Sequence, residues 1–270
     1  METVKRFVLL IFVVISCNTY ADSKLVKLEV RPGVTMKMMV IEPGIQPKGV
    51  LVLYAGGRGT IELGSFLGIP SINKYKANFL VRTRDQFAKG GYVVVLPDIP
   101  SDQDRLRYSY RLSDDQVADA SAIVKHFRST YKLPIWLLGT SASSLGVAHA
   151  AASLSEKIDG IALTASVTRP REHYAVYDEF PEGTASTALS AITVPVIIVS
   201  NREDACDLSP SADSELIKNR LTNASRVEVK YFSGGSPPQS KPCNALSRHG
   251  FLGIEEEVVG QILSFIEGGE

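Results

Sequence analysis

A chain of 270 residues that is 44% hydrophobic and 21% charged holds enough apolar material for one sizeable core, and no linker, repeat or low-complexity run divides it. Lysine plus arginine (29) equals aspartate plus glutamate (29), and a neutral chain without a basic stripe lacks the footprint of a nucleic-acid binder. The one basic cluster, Arg105, Arg107 and Arg111, stands among Asp102, Asp104, Asp114 and Asp115 and reads as a solvated face.

The chain opens on an export signal. Lys5 and Arg6 precede the apolar run Phe7 to Ile15, followed by Ser16-Cys17-Asn18-Thr19-Tyr20-Ala21-Asp22. A positive start, a short apolar stretch and a small-residue exit describe a signal peptide over residues 1–21, leaving 22–270 as the mature domain. The run is too short to span a bilayer comfortably. Val14-Ile15-Ser16-Cys17 offers a second reading, a lipobox, in which Cys17 carries lipid and anchors the protein to a membrane. Either way the product is exported, periplasmic or secreted.

Leu25 to Val30 and Met36 to Ile41 alternate as an antiparallel pair around the turn Arg31-Pro32-Gly33. Continuous apolar runs follow at Val50–Tyr54, Tyr92–Leu96, Ile135–Leu138, Gly160–Thr164 and Val194–Val199, with Val227–Phe232 last. Runs without alternation suit strands buried on both faces, as in a parallel sheet. Helical patterns separate them: Asn78–Lys89, Asp114–Phe127 capped by Ser113, Ala142–Leu154, Asp213–Leu221 and Ile254–Ile266. Strand alternating with helix predicts an α/β fold, a mostly parallel doubly wound sheet with helices on both faces. Residues 166–193 break the rhythm and read as a small cap insertion.

The passage that carries chemistry is Leu137-Leu138-Gly139-Thr140-Ser141-Ala142-Ser143. A buried strand runs into an Ala-rich helix through Gly-x-Ser-x-Ser, the setting of a nucleophile elbow, where a sharp turn exposes the hydroxyl. Gly139 is needed where the helix passes close. Ser143 stands where the pattern usually has a final glycine. A register using Ser144 is rejected because the turn must follow the strand at once. A serine hydroxyl needs a base within reach. His126 and His149 lie on helices and His173 in the cap segment, whereas His249 follows the last strand and satisfies the chain order Ser, Asp, His. The acid belongs after the strand ending at Val199, where Asp204 is the choice over Glu203 and Asp207; it would hold the imidazole in one tautomer. Backbone donors for the oxyanion are expected at Gly57 or Arg58, in Tyr54-Ala55-Gly56-Gly57-Arg58-Gly59, and at Ala142. A Walker phosphate loop is absent. In an exported protein Cys206 and Cys243 suggest a disulfide joining the loops of acid and base, against the alternative of two buried thiols.

These residues resemble the α/β-hydrolase superfamily from roughly Leu25 to Ile266, and a bacterial exported branch of unassigned substrate. The residues suggesting that branch are Gly56-Gly57, Asn78-Phe79-Leu80-Val81-Arg82, Asp98-Ile99-Pro100-Ser101-Asp102, Gly139-Thr140-Ser141, Asp204-Ala205-Cys206, and Pro242-Cys243 with His249-Gly250-Phe251. The resemblance implies an α/β-hydrolase fold and a triad of Ser141, Asp204 and His249. The expected activity is that of a serine hydrolase, carboxylesterase-like, acting on a small-molecule or acyl substrate without metal or organic cofactor. A peptidase or thioesterase with the same triad, and a binding protein of the same fold, remain open; Glu172, Asp178 or Glu179 would anchor the amine of a peptidase substrate. Oligomeric state is not legible.

Overall fold

The computed structural model describes residues 22–154 and 157–269; residues 1–21, read above as a signal peptide, and Cys17 among them lie outside these. Ten strands form among the described residues: β1 (Ser23–Arg31), β2 (Val34–Ile41), β3 (Gly49–Tyr54), β4 (Leu63–Phe66), β5 (Ile69–Ile72), β6 (Tyr92–Pro100), β7 (Ile135–Thr140), β8 (Gly160–Thr164), β9 (Val196–Asn201) and β10 (Val227–Phe232). The helices are α1 (Phe79–Arg82), α2 (Arg84–Lys89), α3 (Tyr108–Arg111), α4 (Asp114–Tyr131), α5 (Ser143–Ser153), α6 (Ser214–Arg220) and α7 (Glu255–Ile266).

Eight strands build one sheet in the order β1-β2-β6-β3-β7-β8-β9-β10, and β4 and β5 form a separate hairpin. From β6 onward neighbours run parallel, while β1 and β2 add an antiparallel edge. The unbroken apolar runs are explained by burial on both sides. In β3, Leu51 and Leu53 join one core with α1, α2 and α7, and Val50 and Val52 join the other with α4, α5 and α6. Each such fully buried side chain contributes about 1.5–3 kcal/mol over leaving it in water.

Two features depart from the sequence reading. The predicted helix Asn78–Lys89 is two helices, because the Thr83 hydroxyl donates to Phe79 O at 2.7 Å and the backbone leaves helical geometry at Thr83 (φ −95°, ψ 0°). A side-chain hydroxyl bonding back onto the preceding turn competes with the helical ladder. The hairpin β4–β5 has no forerunner in the pattern, because its tip leaves Phe66, Leu67 and Ile69 exposed. Among the described residues no helix is long and apolar enough to cross a membrane.

Parallel strands send their C-terminal ends, and the loops that follow, to one rim of the sheet. The loops after β3, β7 and β9 and the loop before α7 meet there.

Candidate active site

The turn from β7 into α5 is tight enough to force Ser141 to φ +55°. Left-handed backbone at a non-glycine residue costs of order 1–3 kcal/mol and persists only where its surroundings hold it. Here Ser141 N donates to Thr164 O at 2.8 Å, tying the turn to β8. A Cβ at Gly139 would lie 2.7 Å from the Ser143 carbonyl oxygen, so the returning helix requires glycine there. Ser143 has its own reason. Its hydroxyl accepts from Thr140 N at 2.8 Å and donates toward Tyr54 O at 2.6 Å and Thr140 O at 2.8 Å, latching the turn to β3 where glycine could not. Ser144 is fully buried and donates to Ser141 O at 2.6 Å, with its oxygen 2.9 Å from that of Thr184.

Ser141 Oγ stands 2.9 Å from His249 Nε2, across 108 residues of chain. His249 Nδ1 stands 2.8 Å from Asp204 Oδ2 and 3.0 Å from Ser209 Oγ. The Asp204 carboxylate is fixed in turn by Ser209 Oγ at 3.1 Å and by Cys206 N at 2.9 Å. Both partners are buried, with side chains 5% and 2% exposed, so water competes little for the pair. The other two acids are occupied: Glu203 accepts from Gly234 N at 2.8 Å and pairs with Arg248 at 3.4 Å, and Asp207 pairs with Arg171 at 3.2 Å. The loop of His249 is anchored by Ser247, whose hydroxyl accepts from His249 N at 3.2 Å and reaches Pro242 O at 2.7 Å. Arg82 of α1 donates to Gly250 O and pairs with Glu255 at 2.8 Å. Cys206 and Cys243 are joined in a disulfide, 37 residues apart in sequence, so the loops of Asp204 and His249 are covalently tied. Asp207 lies against these two sulfurs, but a disulfide offers no thiolate to a metal.

The loop after β3 faces the turn. A Cβ at Gly56 would sit 2.7 Å from Thr140 O and 3.1 Å from Ser141 Cβ, so only glycine lets the two backbones approach. Residues 56–59 close a turn, Gly59 N donating to Gly56 O at 3.1 Å, with Gly57 at φ +60°. No acceptor among the described residues takes the N–H of Gly57, Arg58 or Ala142. The Gly57 carbonyl, in contrast, is held: Arg111 Nη2 donates to it at 3.0 Å, and reaches Ala55 O at 3.5 Å. In a trans peptide C=O and N–H point opposite ways, so the Arg58 N–H turns away from the interior.

No protein-family model matches the sequence, and no curated protein does. Solved structures do match. A Pyrococcus furiosus esterase is 15% identical over 92% of this chain and 91% of its own, with a TM-score of 0.63. Est1E from Butyrivibrio proteoclasticus is 12% identical over 91% of this chain and 98% of its own, with a TM-score of 0.63. An acylaminoacyl peptidase from Pyrococcus horikoshii is 13% identical over 93% of this chain and 42% of its own, with a TM-score of 0.60. The fold is that of the α/β-hydrolases.

On this α/β-hydrolase frame two depressions meet at Ser141. The larger, about 520 Å³, is bordered by Gly57, Arg58 and Ala142, by Arg105 to Ser109 and by His173 to Val176. The smaller, about 110 Å³, lies between Gly56, Asn78, Ala245 and His249. Segment 166–193 thus supplies one wall of the larger cleft, with Tyr174 edge-on to Tyr108 at 5.4 Å and His173 edge-on to Tyr174 at 4.5 Å. Glu172, Asp178 and Glu179 do not border it. His126 instead packs edge-on against Phe127, and burial pulls the pKa of His149 down.

The solvated-face reading fits Arg107, which is more than half exposed and meets Asp104 at 3.4 Å, and fails for Arg111, which is buried. Asp102 and Asp115 pair with Arg31, at 3.0 and 3.1 Å, rather than with their neighbours. Asp119 joins the same guanidinium at 2.7 Å. Arg105 and Arg107 are left on the cleft wall. Arg111 is 2% exposed, with no carboxylate partner among the described residues, and burial lowers its pKa to about 10. A local count of charges could not show this, because Asp102 and Asp115 are taken by Arg31, distant in sequence.

Proposed function

We propose that this chain is a serine hydrolase cleaving a carboxylic ester through an acyl-enzyme on Ser141. His249 takes the hydroxyl proton as Ser141 Oγ attacks the carbonyl, and returns it to the departing alcohol. Asp204 holds the imidazole with Nδ1 protonated, leaving Nε2 to accept, and stabilises the imidazolium that forms. The N–H groups of Ala142 and of Arg58, or of Gly57, receive the oxyanion. Water then repeats the sequence on the acyl-enzyme, and no metal or organic cofactor is called for.

The observation that carries this reading is the unbroken chain from Ser141 Oγ through the imidazole to a buried carboxylate, at 2.9 and 2.8 Å. The strained φ of Ser141 and the two depressions meeting at it support the same assignment, since an ester has two arms to seat. An ester is favoured over an aminoacyl peptide because no acid borders the cleft to hold a substrate amine. Segment 166–193 would serve as the cap. The disulfide supports export to an oxidising compartment.

A fluorophosphonate probe tests the proposal: it should label the wild type and fail on Ser141→Ala. A correctly folded wild type that neither takes the probe nor hydrolyses nitrophenyl esters would leave a binding protein of this fold.

A further inference from the structure

The charges around Ser141 narrow the substrate class, on the basis of the hydrolase reading above. Three arginines, Arg58, Arg105 and Arg107, border the larger cleft beside Ser141, and no aspartate or glutamate does. Arg58 is exposed and has no carboxylate partner among the described residues. Arg105 has none either, and its Nε is buried without a hydrogen-bond acceptor. Arg107 meets only Asp104, at 3.4 Å, with both side chains more than half exposed, and such a contact contributes little. Arg58 and Arg105 also border a second depression, with Asp104, Glu62 and Lys74. Glu62 there is taken by Lys74, which leaves Asp104, already met by Arg107, as the one acid beside these arginines among the residues that border the two depressions.

A neutral chain that gathers three guanidinium groups along one cleft raises a positive potential there, which draws anions. Guanidinium is also the side chain whose planar fork matches a carboxylate. We propose that the substrate is an ester bearing a second, anionic group. That group docks on Arg58, Arg105 and Arg107 while Ser141 attacks the ester carbonyl.

Two matched pairs of esters test this and separate the two sides on which the acid can sit. On the acyl side the pair is mono(4-nitrophenyl) adipate and its methyl-capped diester. On the alcohol side it is 4-carboxyphenyl butyrate and 4-carbamoylphenyl butyrate. One acid should be preferred over its neutral counterpart by about ten- to hundredfold in kcat/KM at low salt, the range of a charge-assisted hydrogen bond. The preference should shrink as salt is added. The ratio should collapse toward one in Arg105→Gln and in the more exposed Arg107→Gln, whatever either absolute rate does. Ratios near one in the wild type, or ratios untouched by both variants, overturn the assignment. Calorimetry of the same esters with Ser141→Ala reads binding without turnover. Charge-selective binding by an enzyme that hydrolyses nothing would refute the hydrolase reading alone, and brisk hydrolysis without charge preference would refute the anion site alone.

Discussion

Arg111→Met separates what the buried guanidinium does for the fold from what it does for catalysis. The charge has no carboxylate partner, and burial lowers its pKa to about 10, a bias of roughly 3 kcal/mol against the charged form. Methionine is of similar length and removes that penalty, but it frees the carbonyls of Gly57 and Ala55, held at 3.0 and 3.5 Å, at about 1–3 kcal/mol. The two effects nearly offset. Stability by urea or thermal unfolding should therefore stay within about 2 kcal/mol of the parent. Catalysis has no such compensation. Deleting an oxyanion donor lowers kcat by about 100- to 1000-fold; releasing one without deleting it should lower kcat about ten- to hundredfold, with KM little changed. A trifluoromethyl ketone, which forms an oxyanion on the serine, should weaken in parallel. A folded Arg111→Met enzyme with parental kcat and parental ketone affinity would refute the positioning role. A stability loss far above 2 kcal/mol would show Arg111 to be mainly a structural support.

Asp204→Asn should preserve the fold and lower kcat by about 10⁴, because the amide favours the wrong imidazole tautomer; a loss under tenfold would place the orienting acid elsewhere. Ser143→Ala leaves Thr140 N and Tyr54 O without their 2.8 and 2.6 Å partner and should cost about 1–3 kcal/mol in unfolding measurements; an unchanged midpoint would dismiss the latch. Reducing the Cys206–Cys243 bridge opens a 37-residue separation and should destabilise by up to about 4 kcal/mol on the loop-closure model, with intact mass rising by two hydrogens. An unaltered mass would mean the thiols were free from the start.

The parallel strands were legible because burial on both faces leaves uninterrupted apolar runs, and the Ser141 turn because it lies between such a run and an Ala-rich helix. Chain order singled out His249, and the structure brings its Nε2 to 2.9 Å from Ser141 Oγ. What escaped was whatever long-range pairing decides. Ser143 read as a departure from the usual glycine, yet it bonds Tyr54 O, 89 residues away. Arg105, Arg107 and Arg111 read as a solvated face, yet Arg111 is buried and Arg31 takes Asp102 from 71 residues off. The break at Thr83 is local, but a single hydroxyl bonding back four residues leaves the apolar periodicity on either side intact, so the pattern ran straight through it.

The proposed nucleophile and its base are 108 residues apart, and this fixes an order of events during synthesis. At about 5–20 residues per second, the segment bearing Ser141 emerges from the ribosome roughly 5–20 s before the segment bearing His249. Throughout that interval the nascent chain lacks the one imidazole that the fold brings within 2.9 Å of the Ser141 hydroxyl, so the proposed chemistry waits on the emergence of His249.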